Sequence, residues 1–484
     1  MTSEDLNSED ACQANYSKIR IAYWDALACK MDVWTGHGGY YHERLAQVYK
    51  FLVSPGQRVI EIGCGKGDLL AALKPVAGVG VDLSGEMIKR AQKQHPELHF
   101  IQADAHDFGL DEKFDIIILS DLVNELWDVQ TVFEEIARLS IPSTRIILNT
   151  YSRMWELPLA IVKRLGLARP ALDQNWLTVE DIDGLLNLVN IEVIRQWAEI
   201  LWPLQTPVLD SFFNRFLVKV WPFNCLALTN FIVARPRPQQ KQLSEEPLVS
   251  VIVPASNEAG NISNIFDRTP EMGSGTELVF VEGNSRDNTW AAIEKAIADH
   301  PARRCKLLRQ AGVGKGDAVR LGFAHAGGEI LMILDADLTV PPENLPRFYE
   351  ALRSGKGEFI NGVRLVYPVE KQAMRFLNLV GNKFFGLTFS WLLGQAVRDT
   401  LCGTKVLWKT DYERIAENRA YFGDFDPFGD FDLLFGAARF NLKIIEIPIR
   451  YRKRTYGTTN IQRWKHGWLL LKMSLFASRR IKCI

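Results

Sequence analysis

The chain has 484 residues, 47% of them apolar, enough for roughly two to four domains with cores of their own. Its 57 Lys and Arg balance 57 Asp and Glu, so no global charge directs it to nucleic acid, and seven scattered Cys without CxxC or Cys/His spacing argue against a disulfide scaffold or structural zinc. The acidic start MTSEDLNSEDACQ lacks a signal-peptide pattern, and the most apolar stretches, residues 384–397 and 468–476, fall short of the ~18 to 20 residues of a bilayer span. A cytoplasmic protein is expected, at most resting on the inner face of a membrane.

Residues 16–51 read as a helical lead-in. From Arg58 the texture becomes strand, glycine-rich turn, helix: QRVIEIGCGKGDLLAAL, strand GVGVDL, helix SGEMIKRAQKQ, strand LHFIQAD, strand FDIIILSDL, helix DVQTVFEEIARL, strand TRIILNTY. This alternation predicts a doubly wound parallel sheet with a ligand at the carboxyl ends of its strands. Glu61-Ile-Gly63-Cys-Gly65-Lys-Gly67 stands at the first such end, where glycines let the backbone turn tightly and approach a ligand. Asp82 ends the next strand, placed to accept hydrogen bonds from ribose hydroxyls, and Ala103-Asp104 ends the one after. An acid before GxGxG, in place of GxGxxG, disfavours a pyrophosphate there.

In order, VIEIGCGKGDLL, VDLS, IQADAHDF and FDIIILSDLVNELWD make about residues 20–235 resemble class I S-adenosylmethionine-dependent methyltransferases. The resemblance implies Glu61, Gly63 and Gly65 under the methionine part of the cofactor, Asp82 on its ribose, Asp104 with Ala105 beside its adenine, and Ser120 with Asp121 near the sulfonium. Residues 192–236, a strand, the helix TPVLDSFFNRFLVKVW and the strand LALTNFIVARP, resemble the family's antiparallel sheet ending. The methyl acceptor is not legible. Candidates around it are Tyr40, Tyr41, His42, Asn124, Glu125 and Asp128; His42 could take a proton or be simply a packed or surface side chain.

The Pro-, Gln- and charge-rich segment RPRPQQKQLSEEP has no apolar period and reads as a linker, set at residues 237–247 between domains 1–236 and 248–484. Beyond it, the strand LVSVIVPASNE leads to a helix, the strand ELVFVEGNS, the helix DNTWAAIEKAIADH, the strand KLLRQ and the helix GKGDAVRLGFAHA. Next comes EILMILDADLTVPPENL, an apolar strand that ends in Asp335 and Asp337 before Pro341 and Pro342. Two carboxylates at a buried strand mouth repel and lose hydration, so they need a counter-charge. Mg²⁺ or Mn²⁺ suits their hard oxygens; an Asp cap on the following helix is the alternative for an isolated DxD. Four strand ends converge and should bring Glu258, Glu282, Lys315 and Asp337 together.

VIVPASNE, VEGNSRDNTW, GKGDAVRLG, DADLTVPP, NGVR, VRDTLCGTKV, DFDPFGDFDLLF and EIPIRYRKRTYGTTN, in that order, make residues 248 to about 465 resemble family 2 glycosyltransferases of the GT-A fold, in the style of dolichyl- and polyprenyl-phosphate hexose synthases. The resemblance implies that Pro254, Asn257, Glu258 and Glu282 cradle base and ribose, that Lys315 and Asp317 flank the nucleotide, and that Asp335 and Asp337 share metal and diphosphate. It places Arg364, Arg375 and Arg454 on phosphates and Asp399 or Asp430 by the acceptor, so Asp337, Arg364, Asp399 and Asp430 are the expected catalytic set. The chain departs from the family pattern at Glu282-Gly283, where paired acids are usual, and at Arg454-Thr-Tyr-Gly457-Thr-Thr459-Asn460, which loses a final Lys.

In such a site a cation held by Asp337, with Lys and Arg nearby, would stabilise charge growing on the leaving phosphate. The acceptor would attack from the opposite face with inversion; a hydroxyl acceptor would need an Asp such as Asp430 as base, an anionic phosphate much less so. Residues 371–397 are apolar with interspersed Lys and Arg, and residues 449–484 hold ten Lys or Arg and no acid. That pattern suits peripheral contact with anionic lipid; core helices or a dimer face are the alternative. The expectation is a two-enzyme fusion, with S-adenosylmethionine and Mg²⁺ or Mn²⁺ as cofactors, that moves a hexose from a nucleoside-diphosphate sugar to a polyprenyl phosphate or glycan and methylates a related small molecule or glycan. The alternative is a scaffold or regulatory protein in which one domain binds its nucleotide without turnover.

Overall fold

The computed structural model describes residues 3–30, 39–164, 172–238, 246–364, 366, 376–419, 429–452, 454, 456 and 463–482. Arg375, Gly457, Thr459 and Asn460 lie outside them. Two compact units form, one up to Arg237 and one from Pro238. Each has a mixed seven-stranded sheet, in line with the expected two α/β domains.

In the first unit, α1 (Ser3–Lys30) and α2 (Gly39–Leu52) precede β1 (Arg58–Ile62), α3 (Asp68–Leu73), β2 (Ala77–Asp82), α4 (Gly85–Gln94), β3 (His99–Gln102) and β4 (Ile116–Ser120). There follow α5 (Val129–Leu139), β5 (Arg145–Tyr151), α6 (Glu156–Arg164), α7 (Val179–Leu188), β6 (Ile191–Ala198), α8 (Leu209–Arg215) and β7 (Thr229–Pro236). The order is β3-β2-β1-β4-β5-β7-β6, parallel except where β7 runs against β5 and β6. Ile60, Ile117, Leu119, Ile146 and Leu148, fully buried on the central strands, pack with Val132, Phe133 and Ile136 of α5 in one core. Because these strands are covered, their polar residues concentrate at the carboxyl ends, where the chain leaves the sheet. Asp128 caps α5 by accepting from Gln130 N and Thr131 N, and Thr178 opens α7 with a reciprocal capping box to Asp181.

In the second unit β8 (Val249–Ala255), α9 (Ile262–Arg268), β9 (Thr276–Glu282), α10 (Thr289–Asp299), β10 (Arg304–Arg309), α11 (Lys315–His325) and β11 (Ile330–Ile333) form a parallel half-sheet with its helices. Next come α12 (Leu345–Arg353), β12 (Phe359–Val363), α13 (Phe376–Leu393), β13 (Lys405–Trp408), α14 (Lys409–Glu417), α15 (Asp430–Arg439), β14 (Ile444–Pro448) and α16 (Arg463–Ala477). The order is β10-β9-β8-β11-β13-β12-β14, with β13 antiparallel to both its neighbours. That reversal sets the segments before β13 beside the end of β11, and so assembles the second site. No helix among the described residues is long and apolar enough to cross a membrane.

Candidate active sites

In the first unit, Gly63 and Gly67 adopt φ of 76° and 75°, the left-handed region that glycine enters without strain. A Cβ on Gly63 would lie 2.8 Å from Leu122 Cδ1, and one on Gly67 2.5 Å from Phe100. The loop therefore folds back onto β2: Gly63 N and Cys64 N donate to Val81 O, and Gly65 N donates to Asp82 Oδ2 at 2.8 Å. Ser84 N holds the other oxygen of Asp82 at 2.9 Å. Burial raises the carboxyl of Asp82, and these two amides oppose the shift.

Glu61 is 3% exposed, and its Oε2 has no hydrogen-bond partner among the described residues. Burial pushes its carboxyl up to about 8, with Asp82 and Asp68 adding repulsion. An orphaned buried acceptor beneath a glycine cradle fits a ligand that brings a cationic or donor group to it. Asp104, the next acid along, accepts from His106 N at 3.0 Å, from His106 Nδ1 and from Ser17 Oγ of α1 at 3.1 Å. Burial opposes ionisation of Asp104, but the hydrogen bonds to His106 outweigh it and hold the carboxyl below its ordinary range. Ala105 packs half-buried against the core.

Ser120 ends β4, and Asp121 turns with φ 55°. Asp121 Oδ1 accepts from Tyr41 Oη at 2.7 Å and from Asn149 Nδ2, while Tyr49 Oη donates to Asn149 Oδ1 at 2.7 Å. Burial pushes Asp121 up to about 6. The Tyr41 ring stacks on Tyr151, and Tyr40 Oη accepts from Asn214 Nδ2 of α8. Among the candidates near methyl transfer, Asn124 spends its amide on Asn175 O, Thr150 Oγ1 and Tyr151 N, and Glu125 pairs with Arg20 and Gln174. Asp128 is the α5 cap, and His42 is exposed, edge-on to Tyr41. That leaves Tyr41, buried and hydrogen-bonded to Asp121 at the end of β4, as the candidate pair.

In the second unit, Asp335 Oδ1 lies 2.6 Å from Lys315 Nζ at the start of α11. Asp337 Oδ1 accepts from Thr339 N and Oγ1, and its Oδ2 accepts from Arg454 Nη2 at 2.6 Å. Arg454 also reaches Glu258 Oε1 at 3.5 Å, so one guanidinium joins the ends of β8 and β11. Burial pushes Glu258 up to about 7 against the pull of Arg454. Burial also raises Asp335, but Lys315, Lys405 and Arg364 more than offset it and keep this carboxyl low. Gly403, just before β13, leaves room for the pair: a Cβ there would lie 2.0 Å from Asp335 Oδ2 and 2.4 Å from Lys315 Nζ.

Glu282 is buried and accepts from Ser285 N, while Asn257, at φ 59°, accepts from Arg286 N and donates its own N–H to Ser285. Together they tie the β8 and β9 loops, with Pro254 one residue from the end of β8. Asp317 accepts from Gln310 Nε2 at 2.9 Å. Asp399 is fully buried, and Arg364 holds it through Nε at 2.7 Å and Nη2 at 2.8 Å as well as through its backbone N. Asp430, at the start of α15, pairs with buried Lys405 at 2.8 Å. Neither carboxylate stands unengaged. Gly403 and Lys405 carry no independent mark in the sequence; the Gly within VRDTLCGTKV was the available signal.

No group of three or more His, Cys, Asp or Glu side chains is placed to hold a metal ion among the described residues. Asp335 and Asp337 alone still suit a hard cation by donor chemistry, because Mg²⁺ takes few protein oxygens and completes its shell with water and phosphate. Here their charge is met by Lys315 and Arg454.

The first unit thus has a glycine cradle followed by acids at successive strand ends of a Rossmann-like sheet, and the second has paired acids at the mouth of a half-parallel sheet, bridged by basic side chains. Residues 53–191 match a methyltransferase domain, and residues 250–407 match glycosyl transferase family 2. The chain thus carries a methyltransferase domain followed by a family 2 glycosyl transferase domain. It is 34% identical over 109 residues to the dolichol-phosphate mannosyltransferase of Pyrococcus furiosus (22% of this chain, 30% of that one). It is 39% identical over 108 residues to that of Saccharomyces cerevisiae (21% of this chain, 40% of that one). The chain thus spans well under two thirds of these relatives. The solved magnesium protoporphyrin IX methyltransferase of Synechocystis, with bound SAH, superposes with a TM-score of 0.34 at 17% identity, over 46% of this chain and 99% of that one.

Proposed function

We propose that the second domain transfers a hexose, with inversion and with Mg²⁺ or Mn²⁺, from a nucleoside-diphosphate sugar to a polyprenyl phosphate or glycan, and that the first methylates a related small molecule or glycan. The observation that carries this reading is the bridge Glu258–Arg454–Asp337 beside the pair Lys315–Asp335, which gathers three acids and two cations from four chain segments at one sheet edge. A diphosphate competes with the carboxylates for Arg454 and Lys315, and these cations then take up the charge that grows on the leaving group. Asp335 and Asp337 are the residues that would hold a divalent ion, which supplies Lewis-acid stabilisation when bound. Asp399 orients Arg364, and Asp430, paired with Lys405, is the base for a hydroxyl acceptor.

In the first domain, Glu61, Gly63, Gly65, Asp82, Asp104, Ala105, Ser120 and Asp121 would hold S-adenosylmethionine, which brings an activated methyl group. Tyr41 and Asp121 form the group able to take a proton from the acceptor. The domains run over residues 1–236 and 248–484 with the linker at 237–247, and physical linkage raises the local concentration of one product at the next site. Exposed Leu387, Trp391, Trp468 and Leu475 on α13 and α16, with Arg479 and Arg480 nearby, support peripheral contact of the glycosyltransferase domain with the inner membrane face.

The test is a donor screen. The protein and Asp337→Ala are incubated with GDP-mannose, UDP-glucose and UDP-N-acetylglucosamine, Mg²⁺ or Mn²⁺ and a short polyprenyl phosphate, and glycolipid is sought by mass spectrometry. Product from one donor, lost at least about 100-fold in the variant, supports the reading; no product from any donor with nucleotide binding intact moves the acceptor to a glycan.

A further inference from the structure

The methyltransferase unit has an apolar rim that the transfer chemistry leaves unused. Met154, in the turn just before α6, and Leu157 and Ile161 on α6 recur at helical spacing and are exposed, Leu157 to 74%. Between β6 and β7, Phe212, Phe216 and Trp221 are likewise exposed, Trp221 to 77%. The two segments touch: Trp155 Nε1 donates to Leu226 O at 3.0 Å, and Ser152 N donates to Leu228 O at 2.8 Å. A contiguous apolar patch of this kind marks an interaction surface.

The rim borders the Tyr41–Asp121 pair. α6 leaves the sheet just after Tyr151, whose ring stacks on Tyr41, the donor to Asp121. From the other side, Asn214 of α8 donates to Tyr40 Oη. Residues 153–164 and 201–226 carry exposed Arg153, Arg164 and Arg215 against exposed Glu156; Asp210 is buried, and Lys219 is buried and paired with Glu199. A positive, aromatic-rich rim spread over several short elements complements an anionic lipid surface better than a groove for one partner helix.

We propose that this rim seats the methyltransferase unit on an anionic bilayer, and that the methyl acceptor is an amphiphile whose apolar tail stays in the lipid while its polar head reaches the Tyr41–Asp121 pair. The proposal rests on reading this unit as an S-adenosylmethionine-dependent methyltransferase. It specifies the class of acceptor, which the motifs leave open, and it gives the first unit a lipid contact of its own.

Hydrogen exchange read by mass spectrometry on the full chain, with and without phosphatidylcholine/phosphatidylglycerol vesicles, tests it locally. Peptides from residues 153–161 and 204–226 should exchange about tenfold more slowly on vesicles. The double variant Leu157→Glu/Phe212→Glu should lose that slowing and keep the affinity for S-adenosylmethionine, measured by titration. Slowing confined to residues 463–482 overturns the proposal, because contact would then run through the other unit alone. Slowing of the rim without vesicles that grows with protein concentration also overturns it and assigns the rim to a second copy. Slowing of the rim on vesicles in a protein that binds no S-adenosylmethionine upholds the docking surface and removes the methyltransferase reading instead.

Discussion

Glu61 shows how one side chain records an expected ligand. A carboxyl that titrates near 8 in the fold and near 4.5 in the open chain keeps a proton that the unfolded state has already released between those values. Stability of the ligand-free protein therefore falls as pH rises through that window, by up to about 1.4 kcal/mol per pH unit for one such group. Asp121, raised from 3.8 to about 6, adds a slope of the same sign lower down. Glu61→Gln should flatten the decline between pH 5 and 8 in urea unfolding, and an unchanged slope would assign the proton elsewhere. Asp399 illustrates the opposite case. Burial opposes its charge, yet Arg364 overrides burial and holds the carboxyl below its usual range. Motif order marked Asp399 as a group by the acceptor; only the fold reveals that its hydrogen bonds go to Arg364 and Leu401.

At the scale of elements, the parallel strands read directly from their apolar runs, because a strand covered on both faces has few polar residues until it ends. β13 is harder to place. Its four residues, Lys405–Trp408, are too short for a periodic signal, yet its antiparallel insertion between β11 and β12 brings Gly403 against Asp335 and Lys405 against Asp430. Gly403→Ala should therefore displace the Lys315–Asp335 pair and cut glycosyl transfer by about tenfold or more, with little effect on binding of S-adenosylmethionine. Parallel assays of transfer and titration check this; full transfer activity in the variant would show that the pair tolerates displacement.

For the molecule as a whole, each unit has its own sheet and its own buried core. A unit of this size buries enough apolar surface to fold alone. Residues 1–237 and 238–484, expressed separately, should each unfold cooperatively, the first retaining S-adenosylmethionine binding and the second nucleotide binding. Thermal unfolding and titration of the fragments decide it, and a fragment that aggregates without its companion would show that the units fold together.

Sequence alone determined the two α/β classes, the strands β1 to β11 in chain order and the acids at their ends, because covered strands, glycine turns and helix periods are local patterns. Tertiary structure decided which acids are engaged and by what. The bridge from Arg454 to Glu258 and Asp337 and the pairing of Lys405 with Asp430 join residues 25 to nearly 200 positions apart, and the fold leaves Oε2 of Glu61 without a partner among the described residues. The apolar rim was equally hidden. A helix of outward-facing leucine and phenylalanine has the same spacing as one that faces the core, and only the packing around it shows which face stays bare.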